Sequence, residues 1–403
     1  MAKQKIDILE VFESVKRTRG FVNISAPMVR YSKLEFRQLL RKYNVDLCYT
    51  PMIIADSFCR SEEARQNEFT TNLEDSPLIA QFAVRTSKEL VLAAELISPF
   101  VDGIDVNCGC PQKWAISAGY GCALLKQPEL VKDMIQTIKR NFPQKFSCSL
   151  KLRILETDIQ TTIELFRQLE HCGATFISCH GRRPWQRASD PVDLEAMAEI
   201  KKSIKIPFVV NGDIRSVAEA ERVHKLTSCD GVMVARGLLT NPTMFTGTLS
   251  TPLECVQNWV NIAGGEESKI AFQCFHHHLT FMMEKIMKKR QRVEFNNFTT
   301  KCQVLEFLEE NFGVVVVSSP ENKNFICTYN EGLVKLSQLS LKQISNSSYS
   351  ANDRSGQFFD EFKTEAANKN ISTTDNEENF NFMGLGSRFS RLFLNIAPGY
   401  RTL

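Results

Sequence analysis

The chain has 403 residues, of which 43% are hydrophobic and 24% charged, and its formal net charge is only +3. This composition is that of an ordinary globular protein and excludes collagen-like, coiled-coil and wholly disordered architectures. Because the net charge is so small, any surface for a nucleic acid has to be a local basic patch. At about 150 residues per domain, the length predicts two or three structural units.

Thirteen cysteines lie at irregular spacing between Cys48 and Cys327, and the first twenty residues contain no apolar core of a signal peptide. An odd number of irregularly spaced cysteines predicts reduced thiols rather than a disulfide framework. The longest apolar runs, such as Gly313–Val317, are too short to cross a bilayer. We therefore expect an intracellular protein, by default cytoplasmic, and a nuclear fraction is also compatible with the sequence.

Up to about residue 250, short β-branched runs alternate with stretches of helical periodicity. Strands are predicted at Phe21–Ala26, Val45–Thr50, Leu78–Phe82, Gly103–Val106, Ser147–Arg153, Thr175–Cys179, Pro207–Val210 and Gly231–Ala235. Helices are predicted at Leu34–Lys42, Ser87–Ile97, Pro128–Asn141, Thr161–Cys172, Asp193–Ile204 and Ser216–Leu226. Ser32 with Glu35, and Ser216 with Glu219, have the spacing of capping boxes. This α/β alternation predicts a (β/α)8 TIM barrel, although an open doubly wound sheet shares the pattern.

The composition changes twice after the barrel. No strand pattern follows residue 251, and Phe272–Arg292 and Lys301–Phe312 are predicted as helices of a small all-α domain. From Ser318 onward, Ser, Asn and charged residues interrupt every apolar run, which predicts a low-complexity, largely disordered tail; local packing near Phe389–Ile396 is the alternative. The predicted domains are therefore 1–250, 251–317 and 318–403.

Polar and reactive residues follow the predicted strands at one end, where a barrel of this kind forms its active site. The residues at these strand ends are Pro27 and Met28, Gln81, Asn107, Lys151 and Arg153, His180, Asn211-Gly212-Asp213 and Ala235-Arg236-Gly237. In the last two loops, Gly212 and Gly237 allow close approach of backbone N–H groups, and Arg236 adds a cation. Barrels commonly hold phosphate there, with His180 as a further donor, so a nucleotide-like cofactor such as FMN would fit.

Cys110 follows a strand end in a loop framed by glycine and proline. A thiol with an ordinary pKa near about 8.5 is protonated at neutral pH and can act as a proton donor. Cys108 and Cys110 together could suggest a metal site, but no second pair of ligands at zinc spacing accompanies them. Lys151 points into the barrel if Leu150 and Leu152 face outward, where it requires an anionic partner; a solvated lysine at a strand end is the alternative.

Five basic residues cluster beyond the barrel, at Lys285, Lys288, Lys289, Arg290 and Arg292. On a single helix, part of this charge falls on one face, where it could contact phosphates; a solvated helix face is the simpler interpretation. The triplet His276–His278 cannot face one way on a helix, so surface or partly buried histidines are favoured over a metal site.

Several motifs together resemble the tRNA-dihydrouridine synthase family. They are Ala26-Pro27-Met28-Val29, Asn107-Cys108-Gly109-Cys110-Pro111, Gly119-Tyr120-Gly121, His180-Gly181-Arg182, Asn211-Gly212-Asp213-Ile214 and Gly231 through Gly237. The segment Cys48-Tyr49-Thr50-Pro51-Met52 resembles in particular the eukaryotic class that acts on uridines 20a and 20b. The resemblance covers about residues 20 to 317 and does not extend to the tail.

The resemblance implies a flavin barrel followed by a helical tRNA-binding domain, with FMN reduced by NADPH or NADH. It implies that Pro27, Met28, Val29, Gln81 and Lys151 contact the flavin ring system. It also implies that His180, Asn211, Gly212, Asp213, Ala235 and Arg236 hold the ribityl phosphate end. Asn107 and Arg153 would orient the target uracil, Cys110 would protonate C5 after hydride delivery to C6, and the basic cluster would contact tRNA.

Two other functions compete with this one. An FMN barrel that acts on a free pyrimidine, of the dihydroorotate dehydrogenase type, would not need the basic helical domain. A tRNA-binding protein without activity would be expected to have lost Cys110 or the phosphate-site residues, and none of these is missing.

Overall fold

Eight parallel strands close into a barrel in the computed structural model, which describes residues 5–155, 158–266 and 268–317. Closure is complete because β1 pairs with both β2 and β9, and β2 pairs with β4. The TIM barrel is therefore confirmed and the open sheet excluded. The strands are β1 (Val22–Ser25), β2 (Leu47–Tyr49), β3 (Ile53–Ile54), β4 (Leu78–Ala83), β5 (Gly103–Asn107), β6 (Ser147–Arg153), β7 (Ile177–His180), β8 (Phe208–Asn211) and β9 (Gly231–Val234).

The two-residue strand β3 was not predicted. It pairs only with β4 and is not one of the eight strands that form the closed barrel. Helices alternate with the barrel strands, and among the described residues five α-helices follow the last strand. The helices are α1 (Ile8–Thr18), α2 (Leu34–Arg41), α3 (Ala55–Arg60), α4 (Glu62–Glu68), α5 (Ser87–Ile97), α6 (Lys113–Ser117), α7 (Pro128–Asn141), α8 (Ile159–His171), α9 (Leu194–Ser203), α10 (Val217–Thr227), α11 (Arg236–Thr240), α12 (Leu253–Ala263), α13 (Phe272–Met282), α14 (Lys289–Phe295) and α15 (Lys301–Phe312).

Helix α1, which the sequence analysis did not predict, lies against the amino-terminal end of the barrel. Its buried Ile8 and Phe12 join the inward-facing core residues Val22 and Ile24. Phe12 also contacts Phe176, which directly precedes β7, with ring centroids 5.3 Å apart. The opposite, carboxyl-terminal end therefore remains for the site.

One of the two predicted helix caps is confirmed and the other is wrong. The Ser216 hydroxyl accepts the N–H of Glu219 at 3.2 Å and caps α10. Helix α2 instead begins after Lys33 without a side-chain cap. The Ser32 hydroxyl accepts the Met28 N–H at 2.9 Å, because the loop after β1 folds back over it.

The predicted single helix Phe272–Arg292 is wrong: α13 ends at Met282, and α14 begins at Lys289. The backbone at Lys288 is extended, and its N–H donates to the Gln291 side chain at 3.0 Å, which starts a new helix. A continuous helix would bring like charges together at spacings of three and four residues. The expected shared helical face of Lys285, Lys288, Lys289 and Arg292 does not form, although all are exposed.

Helices α12 and α13 pack on α2 of the barrel. The fully buried Trp259 lies against Phe36, with centroids 6.3 Å apart, and against His278 at 4.5 Å. Residues 5–185 and 191–317 of the described chain form one compact unit, and Gln186–Asp190 belongs to a second. The domain division at residue 250 stays a prediction, and the predicted tail from Ser318 lies outside the described residues. None of the described helices has the length and apolar composition needed to span a membrane.

Candidate active site

Strand register gathers the predicted site residues at the carboxyl ends of the strands. Asn107 of β5 is the register partner of Lys151 on β6. Arg153, two residues further on, is the partner of His180 on β7, and His180 in turn is the partner of Asn211 on β8. The five side chains therefore occupy neighbouring positions around the barrel, at the carboxyl ends of its strands.

The loop that carries Cys110 is held from two sides by three hydrogen bonds. The Asn107 side-chain oxygen accepts the backbone N–H groups of Gly109 at 3.2 Å and Cys110 at 3.0 Å. On the other side, the Cys122 N–H donates to the Cys110 carbonyl at 3.0 Å. Gly121 has a φ of +61°, and a Cβ built there would lie 2.6 Å from the Cys110 carbonyl oxygen. This glycine therefore permits the backbone behind Cys110 to come close.

The Cys110 thiol is partly buried, and burial raises its pKa above the ordinary value. Arg153 and Lys151 act in the opposite direction without reversing the shift. A raised pKa keeps the sulfur protonated at neutral pH, which is the form that a proton donor requires.

Lys151 lies between Leu150 and Leu152, both buried, and is itself half-buried on the inside of the barrel. Burial, followed by the positive charge of Arg153, lowers the pKa of Lys151 to about 8. Within the described residues its ammonium makes no hydrogen bond or ion pair. An ammonium inside a barrel mouth without a protein acceptor fits a site for an anionic ligand.

Two arginines, one in the loop after β7 and one at the start of α11 after β9, flank a carboxylate in the loop after β8. Asp213 accepts a hydrogen bond from Arg236 at 2.6 Å and another from Arg182. Asp213 therefore orients two guanidinium groups. Arg182 is buried and was not among the predicted site residues, although it stands in the His180-Gly181-Arg182 motif.

Glycine and histidine complete this end of the site. Gly212 has a φ of +138°, and a Cβ at Gly237 would meet the Ile214 carbonyl oxygen at 2.5 Å. Burial, reinforced by Arg153 and Lys151, holds the pKa of His180 well below its usual range. Its Nδ1 accepts the Arg182 N–H at 3.3 Å, so the neutral ring carries its proton on Nε2 as a donor.

Arg153 connects two loops of the rim. Its Nε donates to the Gly109 carbonyl at 2.8 Å, and one terminal nitrogen donates to the carbonyls of Arg182 and Arg183, each at 3.4 Å. The loops after β5 and β7 are therefore tied together around Cys110. These bonds leave part of the guanidinium available to a ligand.

The remaining predicted cofactor residues lie in the loop after β1, within β4, at the end of β8 and directly after β9. Met28 is buried, whereas Val29 is 55% exposed and Pro27 lies between them in exposure. The buried Gln81 accepts a hydrogen bond from the Asn107 amide at 2.9 Å. The Asn211 amide donates to the Met233 carbonyl at 2.7 Å, and Ala235 directly follows β9.

The same rim carries two exposed tryptophans. Trp114, on α6 after the Cys110 loop, is 45% exposed, and Trp185, after Arg183, is 67% exposed. The third tryptophan of the chain, Trp259, is fully buried. Sequence reasoning did not find this pair, because exposure depends on how the loops fold.

The histidine triplet connects α13 to its surroundings. His276 contacts the Phe295 carbonyl at 2.8 Å, His277 the Tyr31 hydroxyl at 3.2 Å, and His278 the Tyr31 carbonyl at 3.1 Å. His277 and His278 share Tyr31 as a partner through different atoms, whereas His276 contacts Phe295, and His276 and His278 are more buried than expected. Burial lowers the pKa of His278 to about 3.

A closed parallel barrel that gathers a thiol, cationic groups and amides at the carboxyl ends of its strands defines an enzyme of the TIM-barrel class. The family model for dihydrouridine synthases (Dus) matches residues 24–311. The chain belongs to the dihydrouridine synthase family.

Curated relatives match most of this chain and nearly all of their own length. A mouse protein named as tRNA-dihydrouridine(20a/20b) synthase (NAD(P)+)-like is 48% identical over 77% of this chain and 94% of its own length. The human protein of the same name is 45% identical over 77% and 96%. A fission yeast tRNA-dihydrouridine(20a/20b) synthase, from Schizosaccharomyces pombe, is 41% identical over 79% and 95%.

Proposed function

We propose that this protein is a tRNA-dihydrouridine synthase that reduces the C5–C6 double bond of uridine in the D-loop, at positions 20a and 20b. The family assignment and the names of three relatives support the reaction and the positions. The observation that carries the chemistry is the Cys110 thiol, which a glycine-backed loop presents at the barrel mouth and whose pKa burial raises.

The donor set of the site fits FMN as the resident cofactor. Among the described residues, the Lys151 ammonium has no hydrogen-bond acceptor, and the close backbone at Gly212 and Gly237 allows phosphate oxygens to approach main-chain N–H groups. Arg236, Arg182 and the His180 Nε2–H supply further donors, with Asn211 and Ala235 beside them. Pro27, Met28, Val29 and Gln81 would line the ring system. When bound and reduced by NADPH or NADH, FMN supplies the hydride for C6 of uracil.

The chain itself supplies the proton. Cys110 donates it to C5, and the thiolate that remains lies near Arg153 and Lys151, both of which favour the charged form. Asn107 and the available part of the Arg153 guanidinium orient the uracil. Because these groups lie inside the mouth, the target uridine has to leave its stack to reach them.

The RNA around the flipped uridine would contact two surfaces. The exposed side chains of Lys285, Lys288, Lys289, Arg290 and Arg292 in the helical region 251–317 pair with phosphates. Trp114 and Trp185 on the rim stack on neighbouring bases, as exposed aromatic side chains do in single-stranded RNA recognition. Lys113, exposed beside Trp114, adds charge complementarity at the rim.

The test measures flavin absorbance of the purified protein and dihydrouridine formation in unmodified tRNA with NADPH or NADH, detected as the mass gain of two hydrogens. Cys110→Ala should keep the flavin spectrum and lower the rate by at least about 100-fold, within the range for general acid catalysis. Cys302→Ala, an exposed cysteine on α15, is the matched control and should keep full activity.

Three outcomes would contradict the proposal. A colourless protein would exclude the flavin reaction, and a fully active Cys110→Ala variant would exclude the thiol as the proton donor. Reduction of a free pyrimidine without reduction of tRNA would favour the dihydroorotate type of enzyme. A tRNA variant without uridine at 20a and 20b tests the position and should remain unmodified.

A further inference from the structure

Asp105 is a fully buried carboxyl group that the reaction described above does not use. It lies two residues before Asn107 on β5, so both side chains face the inside of the barrel. One of its oxygens accepts the Gln81 side-chain N–H at 2.9 Å, and the other accepts the Ser149 hydroxyl at 2.7 Å. Burial raises the pKa of Asp105 to about 6, so the carboxylate form prevails at neutral pH.

A chain of amides continues from this carboxylate to the catalytic loop. The Gln81 oxygen accepts the Asn107 side-chain N–H at 2.9 Å. The Asn107 oxygen in turn accepts the backbone N–H groups of Gly109 and Cys110. All three side chains of this relay, Asp105, Gln81 and Asn107, are buried, and water has little access to replace a lost bond.

The direction of every bond in the relay follows from its first member. A carboxylate only accepts, so Gln81 has to turn its NH₂ toward Asp105 and its oxygen toward Asn107. Asn107 then has to turn its own NH₂ toward Gln81, which leaves its oxygen for the Cys110 N–H. If the Gln81 amide were reversed, the Asn107 NH₂ would face the Cys110 N–H, and two donors would meet.

We propose that Asp105 is a positioning residue that sets the orientation of the Gln81 and Asn107 amides and thereby holds the Cys110 backbone. It touches neither the uracil nor the thiol, and the inference rests on the proposed role of Cys110 as the proton donor. What the relay requires from position 105 is an acceptor oxygen directed at Gln81.

Four variants separate positioning from a purely structural role. Asp105→Leu keeps the approximate shape but removes the acceptor. Asp105→Asn keeps an oxygen for Gln81, because its NH₂ can donate to the Ser149 hydroxyl. Ser149→Ala removes the other partner of the same carboxylate and leaves the relay intact. In the double variant Asp105→Leu with Ser149→Ala, the acceptor for Gln81 is also absent, and no Ser149 hydroxyl remains to lose its carboxylate partner.

The first readout is the alkylation rate of Cys110 by iodoacetamide, measured by peptide mass spectrometry relative to exposed Cys302 in the same sample. Loss of the hydrogen bond that holds the loop should raise this ratio by about fivefold in Asp105→Leu and in the double variant. Both single conservative variants, Asp105→Asn and Ser149→Ala, should keep the wild-type ratio. Flavin content is recorded for each protein.

The second readout is the kinetics of dihydrouridine formation. We expect kcat to fall about tenfold in Asp105→Leu and in the double variant, with KM for tRNA unchanged, since a single hydrogen bond of the loop is lost. If the double variant kept the wild-type alkylation ratio of Cys110 to Cys302 and the wild-type kcat, the proposal would be overturned, even if Asp105→Leu fails to fold. An inactive wild-type protein would contradict the proposed function, whereas the alkylation ratio would still test the relay.

Discussion

Replacing Gly121 by alanine should impair the reaction by moving Cys110. The added Cβ would lie 2.6 Å from the Cys110 carbonyl oxygen and 2.7 Å from the Cys110 Cβ, where ordinary contacts begin at 3.4 Å. Relief of both contacts requires a shift of about 0.8 Å or more. Because a misplacement of about 1 Å can cost about 100-fold in rate, we expect kcat to fall by tens of fold.

The φ of +61° at Gly121 adds a second cost, since an L-residue in the left-handed region loses about 1–2 kcal/mol. Gly313 is the matched control: its φ is +67°, and no atom lies within 4 Å of a Cβ built there. Gly313→Ala should therefore lose similar stability and keep its kcat. Urea unfolding and single-turnover tRNA reduction measure the two effects. Equal kcat values for the two variants would refute the role assigned to Gly121.

Three further predictions concern stability and RNA binding. Burial lowers the pKa of His278 to about 3, below an unfolded value near 6.5, so the neutral ring stabilises the folded state fully above pH 6.5 and less as the pH falls. At pH 5 the free energy of unfolding should be lower by about 2 kcal/mol, and His278→Gln should not show this loss in urea unfolding. Asp75→Ala should lose about 3–5 kcal/mol, since the buried carboxylate pairs with the buried Arg37 and with Arg41, at 2.6 and 2.9 Å. Lys288→Glu with Arg290→Glu should weaken tRNA binding and lower its salt slope, whereas Trp185→Ala should weaken binding at an unchanged slope.

The histidine and charge-reversal predictions each have a control of the same chemistry. His171→Gln, at an exposed site on α8, should keep the wild-type pH dependence of unfolding. Arg140→Glu with Lys145→Glu reverses two charges near the start of β6, at the amino-terminal end of the barrel, and should leave tRNA affinity unchanged. A stable Asp75→Ala protein, or a His278→Gln protein with an unaltered pH profile, would contradict the reasoning from burial.

Local patterns in the sequence predicted the elements that depend on local physics. Two predicted helices of the barrel, Ser87–Ile97 and Pro128–Asn141, have the predicted bounds, and β6 begins and ends at the predicted residues. These predictions are confirmed because apolar residues at helical or strand spacing form one face, and burial of that face is sufficient to stabilise the element. The short helices α3, α4 and α6 escaped prediction because they carry too few turns to show a period.

Competing side-chain partners account for the errors. Ser32 has the spacing of a helix cap, but its hydroxyl bonds Met28 in a tertiary loop. The basic run after α13 has a helical spacing, but the Gln291 side chain starts a new helix at Lys289 instead. In both cases, the partner that prevailed could not be read from spacing alone.

The sequence by itself determined the alternation of strands and helices and the end of the strands at which the chemistry lies, because parallel strands that end in polar residues place them at one edge. Closure of the sheet into a barrel was decided by the strand pairing. The tertiary structure alone decided how those residues are engaged. It directs Asp213 to two arginines, turns Arg153 to the carbonyls of two loops, and joins Asp105 to the Cys110 loop through two amides. The physical reason is that hydrogen bonds between different strands depend on register and on the direction of each side chain, which a linear pattern does not encode.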